Sequence, residues 1–372
     1  MRTLFDPFDL SGLSLSNRIV MAPLTRNRSP NAVPPPMAAT YYTQRASAGL
    51  LITEATAISQ QGQGYADVPG LYSADALNGW RAVTDAVHAQ GGKIVVQLWH
   101  VGRVSHHSLQ PDDQAPVAPS AIQAKAKTYL IDHDGNGRFM PTSMPRALEI
   151  NEIAGIVHDY QQAARAAMAA GFDGVEIHAA NGYLVDQFLR SNSNHRTDAY
   201  GGSIENRARF LFEIIDAISA EIGTARTGIR LSPVTPANDA YDPQPQPLFE
   251  HVVQGLAKRA IAYIHLIEGS TGAARDHQQG DQPFDYSALK QAYRVAGGQG
   301  AWMVNNGYDA ALAAQTIASG EADLIAFGKP FISNPDLVER LRLGIPFSDW
   351  NSRTFYGGGE QGYIDYPAAT SC

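Results

Sequence analysis

A histidine, an amide and a phenol stand close together near the middle of this chain, in Gly174-Val175-Glu176-Ile177-His178-Ala179-Ala180-Asn181-Gly182-Tyr183. His178 and Asn181 can both donate hydrogen bonds to one oxygen, and Tyr183 can donate a proton. That combination suits a substrate carrying a carbonyl or nitro group: two donors polarise the oxygen and an acid completes the reaction. The same residues also fit a plainer description, a satisfied histidine at a strand end followed by ordinary helix-entry residues. The elements that must position them decide between the two.

Residues 174–178 read as an apolar strand, and short β-branched runs like it recur along the chain. They are Arg18–Ala22, stopped by Pro23, then Leu50–Ala55, Lys93–Leu98, Thr227–Ser232, Tyr263–Ile267, Trp302–Asn305 and Leu324–Phe327. Near-continuous apolar strands are what a sheet buried on both faces requires. Helical patterns fall between them. Glu149–Ala170 is Ala-rich and amphipathic, with Gly171 as its stop; Ser203 is an N-cap for Ile204–Ile222; Pro335–Leu343 closes the series. Eight strand–helix alternations predict an α/β protein with a (β/α)₈ TIM barrel, all 372 residues forming one domain. An open doubly wound sheet is the alternative, because counting strands does not prove closure. In a barrel, His178 lies on the C-terminal rim where such folds carry their active sites.

Two segments stand outside the repeat. Residues 3–16 predict an N-terminal hairpin that plugs the barrel's N-terminal end. Residues 103–148 form a long insertion after the third strand. Within it, Asp132-His133-Asp134-Gly135-Asn136-Gly137 matches the first half of a calcium loop. The twelfth position is Ser143 instead of a bidentate Glu, and Pro141 opposes a following helix, so a hairpin turn is the better reading and no metal is expected.

The other strand ends supply further chemistry. Pro23, Leu24 and Thr25 follow the first strand and Ala57 the second; Gln97 lies near the end of the third; Arg230 sits in the fifth. Asn305-Asn306-Gly307 and Gly328-Lys329 follow the seventh and eighth, the usual phosphate-binding corner of a barrel. Gly307 and Gly328 let backbone N–H groups approach an anion, and Lys329 adds charge. Arg230 in an apolar strand is costly unless compensated. It is either paired with a barrel carboxylate such as Glu54 or Glu176, or it is a fixed cation beside an anionic ligand. Gln97 offers a donor and an acceptor to the edge of a heterocyclic amide. Phosphate corner, amide reader and buried cation together describe a site for flavin mononucleotide (FMN), with Arg230 on the N1 side of the ring.

Longer motifs follow one another in a recognisable order. They include Leu4-Phe5-Asp6-Pro7, residues 17–26 (NRIVMAPLTR), residues 97–103 (QLWHVGR), His178…Asn181…Tyr183, residues 196–207 (RTDAYGGSIENR), Asn334-Pro335-Asp336-Leu337 and Tyr356-Gly357-Gly358-Gly359. In these the chain resembles, over essentially its whole length, the Old Yellow Enzyme family of FMN-dependent ene-reductases, which includes xenobiotic, N-ethylmaleimide and nitrate-ester reductases. The resemblance implies that Pro23, Leu24, Thr25, Ala57, Gln97, Arg230, Asn306, Gly307, Gly328 and Lys329 hold FMN tightly but non-covalently. It implies that His178 and Asn181 bind the substrate oxygen and that Tyr183 protonates the α-carbon after hydride from flavin N5 reaches the β-carbon. Thr25, Tyr65, Trp99 and Tyr356 then line the substrate pocket. The implied reductant is NADPH or NADH, and the implied substrates are enones, maleimides, nitroalkenes, nitro compounds or nitrate esters. Lys329 departs from the arginine of many relatives, keeping the charge without the bidentate fork.

Composition agrees with this class. The chain is 44% hydrophobic and 17% charged, which supports a large core and argues against disorder. A net charge of −8 makes nucleic acid an unexpected partner. No segment approaches the ~20 apolar residues of a membrane span, and early Asp6 and Pro7 argue against a signal peptide. A soluble, cytoplasmic monomer or homodimer is expected. The one cysteine, Cys372, excludes an intramolecular disulfide and a cysteine-ligated cluster. A Schiff-base aldolase or isomerase would need a rim lysine, and of six lysines only Lys329 follows a strand end, inside the phosphate corner. A flavin-binding barrel without turnover would not need the complete His178, Asn181 and Tyr183 set.

Overall fold

The computed structural model describes residues 2–132 and 134–369; His133 of the half calcium-loop motif and Cys372 lie outside the described residues. Eight parallel strands close into a barrel. In chain order they are β1 (Ile19–Met21), β2 (Leu50–Ala57), β3 (Ile94–Trp99), β4 (Gly174–Ala179), β5 (Thr227–Leu231), β6 (Tyr263–Ile267), β7 (Ala301–Asn305) and β8 (Leu324–Phe327). Every residue of all eight is buried, as expected of strands covered by side chains inside and helices outside. β8 pairs with β1, so the sheet has no edge and the open alternative is excluded.

Local signals place the helices. Ser203 accepts from the Asn206 N–H at 3.3 Å and opens Ile204–Ile222, whose Phe210, Leu211, Ile214, Ile215 and Ile218 are buried; Gly223, at φ +87°, ends it. A capping box between Glu149 and Glu152 opens Ile150–Ala169. The last predicted helix begins later than its sequence suggests, at Leu337, with Asp336 outside helical geometry at ψ 29°. The Leu337 N–H donates to the Asn334 carbonyl at 3.2 Å, closing a turn over 334–337 ahead of the helix.

The two exceptional segments take their predicted forms. Phe8–Leu10 and Leu13–Leu15 pair antiparallel, and Leu10 and Leu15 pack on Leu50, Ala262, Ala301 and Leu324, where strands begin. The hairpin therefore closes the N-terminal end of the barrel. In the insertion, Lys127–Ile131 and Gly137–Pro141 pair antiparallel. Asp132 caps the connecting turn, its carboxylate accepting from the N–H groups of Asp134 at 3.1 Å and Asn136 at 2.9 Å. That is turn chemistry, in which the acceptor is spent on the chain's own backbone.

Candidate active site

The C-terminal rim surrounds a cavity of about 670 Å³, a size suited to a cofactor or drug-sized ligand. Parallel register gathers the functional strand positions beneath it. His178 lies opposite Arg230, Arg230 opposite His265, and Glu176 opposite Gln97.

One wall is built by the end of β4. Beyond His178 the chain turns sharply through Asn181 (φ +58°) and Gly182 (φ +75°). A Cβ on Gly182 would lie 2.6 Å from the Ala237 carbonyl oxygen, so the turn needs glycine for space as well as for φ. Ser232 Oγ accepts from the Asn181 N–H at 2.7 Å, and Asn238 Nδ2 donates to the Asn181 carbonyl at 2.9 Å. The Gly182 N–H donates to Asp186, which is itself paired with Arg190 at 2.7 Å, both side chains fully buried. This scaffold delivers Tyr183 to the start of a helix at Leu184–Leu189 with its ring edge-on to Trp99, centroids 4.9 Å apart. The Tyr183 hydroxyl lies 3.2 Å from that of Tyr65, which in turn stacks on Trp99 at 5.6 Å. His178 and Tyr183 approach to 5.0 Å between ring centroids. Thr271 Oγ1 donates to Asn181 Oδ1 at 2.6 Å, so the carboxamide oxygen is occupied and its N–H donors are left for a ligand.

The wall is uncharged. Burial, reinforced by the nearby Arg230 and then His265, holds the His178 imidazole well below its ordinary pKa. Burial raises the Tyr183 phenol, with hydrogen bonds from Tyr65 and Asn238 pulling the other way. Both are therefore neutral at physiological pH, one a ring N–H donor and the other a phenolic acid that keeps its proton until it is needed.

The floor and far corner differ. Glu176 Oε1 accepts from Gln97 Nε2 at 2.7 Å and Glu176 Oε2 bonds His265 Nδ1 at 2.8 Å. Arg230 Nη2 donates to Asn305 Oδ1 at 2.7 Å, and Asn305 Nδ2 donates to the Ala326 carbonyl. Neither Glu54 nor Glu176 forms a direct ion pair with Arg230 among the described residues: Glu54 accepts from the Arg26 N–H at 3.0 Å, and Glu176 is taken as above. Burial pulls Arg230 down to about 10, opposed by the through-space attraction of Glu176, which still leaves it charged at neutral pH. Its Nε is buried without a protein partner among the described residues. In the corner, Asn306 (φ +91°) donates to the carbonyls of Glu268 and Ser270 and accepts from the Gly272 N–H. Gly307 has φ +71°, and a Cβ on Gly328 would meet nothing nearer than Leu24 at 3.6 Å. The exposed Lys329 donates to the Gly272 carbonyl at 3.0 Å.

Of the residues singled out from sequence, Pro23, Leu24, Thr25, Gln97, Trp99, His178, Asn181, Tyr183, Arg230, Asn306, Gly307, Gly328, Lys329 and Tyr356 all line this cavity. Tyr65 stands behind the wall, reaching the cavity through Tyr183. Ala57 does not line it; Ala55 does. β2 runs on to Ala57 with a register shift between Ile52 and Ala55, and Ala57 is covered by backbone bonds to Pro69 and Leu71. Sequence reasoning passed over Thr271, Gly272, Tyr308, Trp350 and Phe355, which reach the cavity from loops and the C-terminal segment. No periodic pattern marks such residues.

The unpartnered Arg230 Nε, the single hydrogen-bonding edge of Gln97 that Glu176 leaves free and the side-chain-free approach at Gly328 fit FMN, with its electron-rich ring edge, imide and phosphate. A parallel barrel with such a rim defines a flavin-dependent oxidoreductase. Residues 3–347 match the family model described as the NADH:flavin oxidoreductase / NADH oxidase family. A putative 12-oxophytodienoate reductase 5 of Oryza sativa subsp. japonica is 44% identical over 372 residues, covering 98% of this chain and 94% of that protein. The 12-oxophytodienoate reductase 2 of Arabidopsis thaliana is 41% identical, covering 99% and 96%. The solved structure of morphinone reductase in complex with tetrahydroNAD superposes with a TM-score of 0.93 at 47% identity, covering 100% of this chain and 98% of that one. An old yellow enzyme homologue from Zymomonas mobilis gives 0.92 at 40%, covering 99% and 100%. The chain belongs to the Old Yellow Enzyme family: it is an FMN-dependent NAD(P)H oxidoreductase. No described helix is long and apolar enough to cross a membrane.

Proposed function

We propose that the protein reduces the C=C bond of activated alkenes (enones, maleimides and nitroalkenes), and that nitro compounds and nitrate esters, reduced at the nitrogen–oxygen group, are further substrates. The observation that carries this reading is the convergence of three neutral groups, His178, Asn181 and Tyr183, on one side of a cavity whose other side is cationic. Relatives named as reductases of 12-oxophytodienoate and of morphinone support it.

FMN, when bound, would supply the hydride that reaches the substrate's β-carbon, with NAD(P)H as the source of the electrons. The protein's own groups do the rest. His178 and Asn181 donate to the carbonyl or nitro oxygen, where negative charge grows as hydride arrives; preorganised donors in a water-poor site stabilise that charge without reorganising. Tyr183 gives its proton to the α-carbon, and its hydrogen bond with Tyr65 holds the hydroxyl in place. Gln97, Arg230, Gly307, Gly328 and Lys329 orient the cofactor, Thr25 can donate to its C4 carbonyl, and Trp99 and Tyr356 enclose the substrate. No dinucleotide-binding fingerprint is needed if nicotinamide and alkene use this one cavity in turn.

The test is anaerobic. The purified protein should be yellow, should bleach on addition of NADPH or NADH, and should regain its colour on addition of N-ethylmaleimide or 2-cyclohexenone. Bleaching that neither alkene reverses would rule the reading out.

A further inference from the structure

An amide side chain reads a ligand only if its oxygen and nitrogen are the right way round. In Gln97 they can be exchanged by half a turn at little cost unless something fixes them. Glu176 lies beneath, fully buried in the barrel, with one oxygen 2.7 Å from Gln97 and the other 2.8 Å from His265. The Gln97 atom facing it is Nε2, which donates to the carboxylate oxygen; an amide oxygen in its place would set acceptor against acceptor. No hydrogen bond to Gln97 Oε1 is made among the described residues, and the side chain, nearly fully buried, lines the cavity. His265 cannot compete for the role: burial keeps its imidazole neutral, and its Nδ1 hydrogen bond to Glu176 holds the carboxylate in place from the other side.

We propose that Glu176, which touches neither substrate nor cofactor, is a positioning residue that locks the Gln97 carboxamide with its oxygen toward the cavity, so that the site recognises the N–H of a flavin imide. The inference rests on the reading that Gln97 contacts the bound flavin. In the unlocked orientation Gln97 would present N–H to N–H, losing one hydrogen bond and setting two donors against each other. The acidic residue in the middle of an apolar strand is thereby explained: it is the one side-chain type that accepts at both oxygens and donates at neither.

The experiment is a double-mutant cycle on the holoenzyme, with Glu176→Gln and Gln97→Ala alone and together. The readouts are the FMN dissociation constant, from free-flavin fluorescence on dilution, and the flavin midpoint potential. Glutamine at 176 keeps the size and can bond Gln97 either way round. Glu176→Gln alone is expected to weaken FMN about five- to tenfold, the scale of one hydrogen bond, and to shift the potential. In the Gln97→Ala background it should change the FMN constant less than about twofold and leave the potential where Gln97→Ala puts it, because positions acting through one another are not additive. Equal effects of Glu176→Gln in both backgrounds, or no effect in the wild-type background, overturn the proposal. If Gln97→Ala itself leaves FMN affinity unchanged, the underlying contact between Gln97 and the flavin is wrong, a distinguishable failure. Should Glu176→Gln not fold, Glu176→Asp, which withdraws the carboxylate by one methylene, goes through the same cycle.

Discussion

The two ends of the cavity solve opposite electrostatic problems. The wall of His178, Asn181 and Tyr183 carries no charge, and the burial that makes it so also prevents its groups from acquiring one. The floor and corner carry permanent cations, Arg230 and Lys329, with Glu176 as the nearest buried counter-charge. The difference matches what each end would hold under the proposed function. A resident cofactor is anionic throughout, and a fixed charge binds it continuously. A substrate oxygen is neutral on arrival and departure and anionic only in between. Neutral donors strengthen their hold only while that charge exists, which is the differential binding that raises turnover.

The largest expected effect breaks the wall alone. Tyr183→Phe removes the acid while preserving the edge-on packing against Trp99 and His178. Alkene reduction should slow by about 100-fold or more, the scale of general acid catalysis, whereas flavin bleaching by nicotinamide should change only a few-fold. Stopped-flow measurement of the two half-reactions separates them. Equal loss in both would show that Tyr183 serves the whole cavity, and the division into two ends would fail.

Keeping the wall neutral has a cost that should appear in stability. Burial holds His178 well below its ordinary value, His100 at about 3 and His265 below its usual range. Between about pH 5 and 6.5 the unfolded chain takes up more protons on these imidazoles than the folded one, so stability falls as pH falls through that window. Glu54 opposes this, because burial raises it to about 7 and the folded state holds its proton while the unfolded state has released it. Three depressed imidazoles against one raised carboxyl make proton uptake on unfolding the net result toward the acid end of the window. Urea midpoints across the window measure the slope, and His178→Asn should reduce it by about one proton. A flat profile would mean that the buried imidazoles do ionise in the fold, and the neutral wall would be lost with them.

How much of this could be read from the chain follows from how far each signal reaches. The eight strands, the plugging hairpin and the cap at Ser203 rest on contiguous residues, and the structure reproduces them within a few positions. The span from His178 to Tyr183 was legible for the same reason. Pairings between distant strands were not. Arg230 finds Asn305, and not Glu54 or Glu176, because those carboxylates are held by Arg26 and by Gln97 and His265. Nothing in one strand records what its neighbour three elements away has already bound. The bulge in β2 was invisible too, since the short run Leu50–Ala55 carries no mark of a register shift, and it is this shift that accompanies Ala55 rather than Ala57 in the cavity. Thr271 and Trp350 come from irregular segments, where folding back, not periodicity, sets the position.

The smallest expected effect lies in the corner. Lys329 is exposed and its amine rests on the Gly272 carbonyl, so its charge is already solvated by water and by the loop. An exposed charge contributes little, about 1 kcal/mol or less, while the glycine at 328 leaves the backbone there without a side chain to block a ligand. Lys329→Met should therefore weaken FMN only about fivefold, with a smaller loss in high salt, because an exposed attraction is screened. Lys329→Arg should change affinity by less than about threefold: the fork adds a second donor, but the side chain's exposure limits what it contributes. Flavin release from the holoenzyme at low and high salt measures both. A hundredfold, salt-independent loss would place Lys329 with Arg230 as a desolvated cation, and the corner would then be held by side-chain charge rather than by backbone.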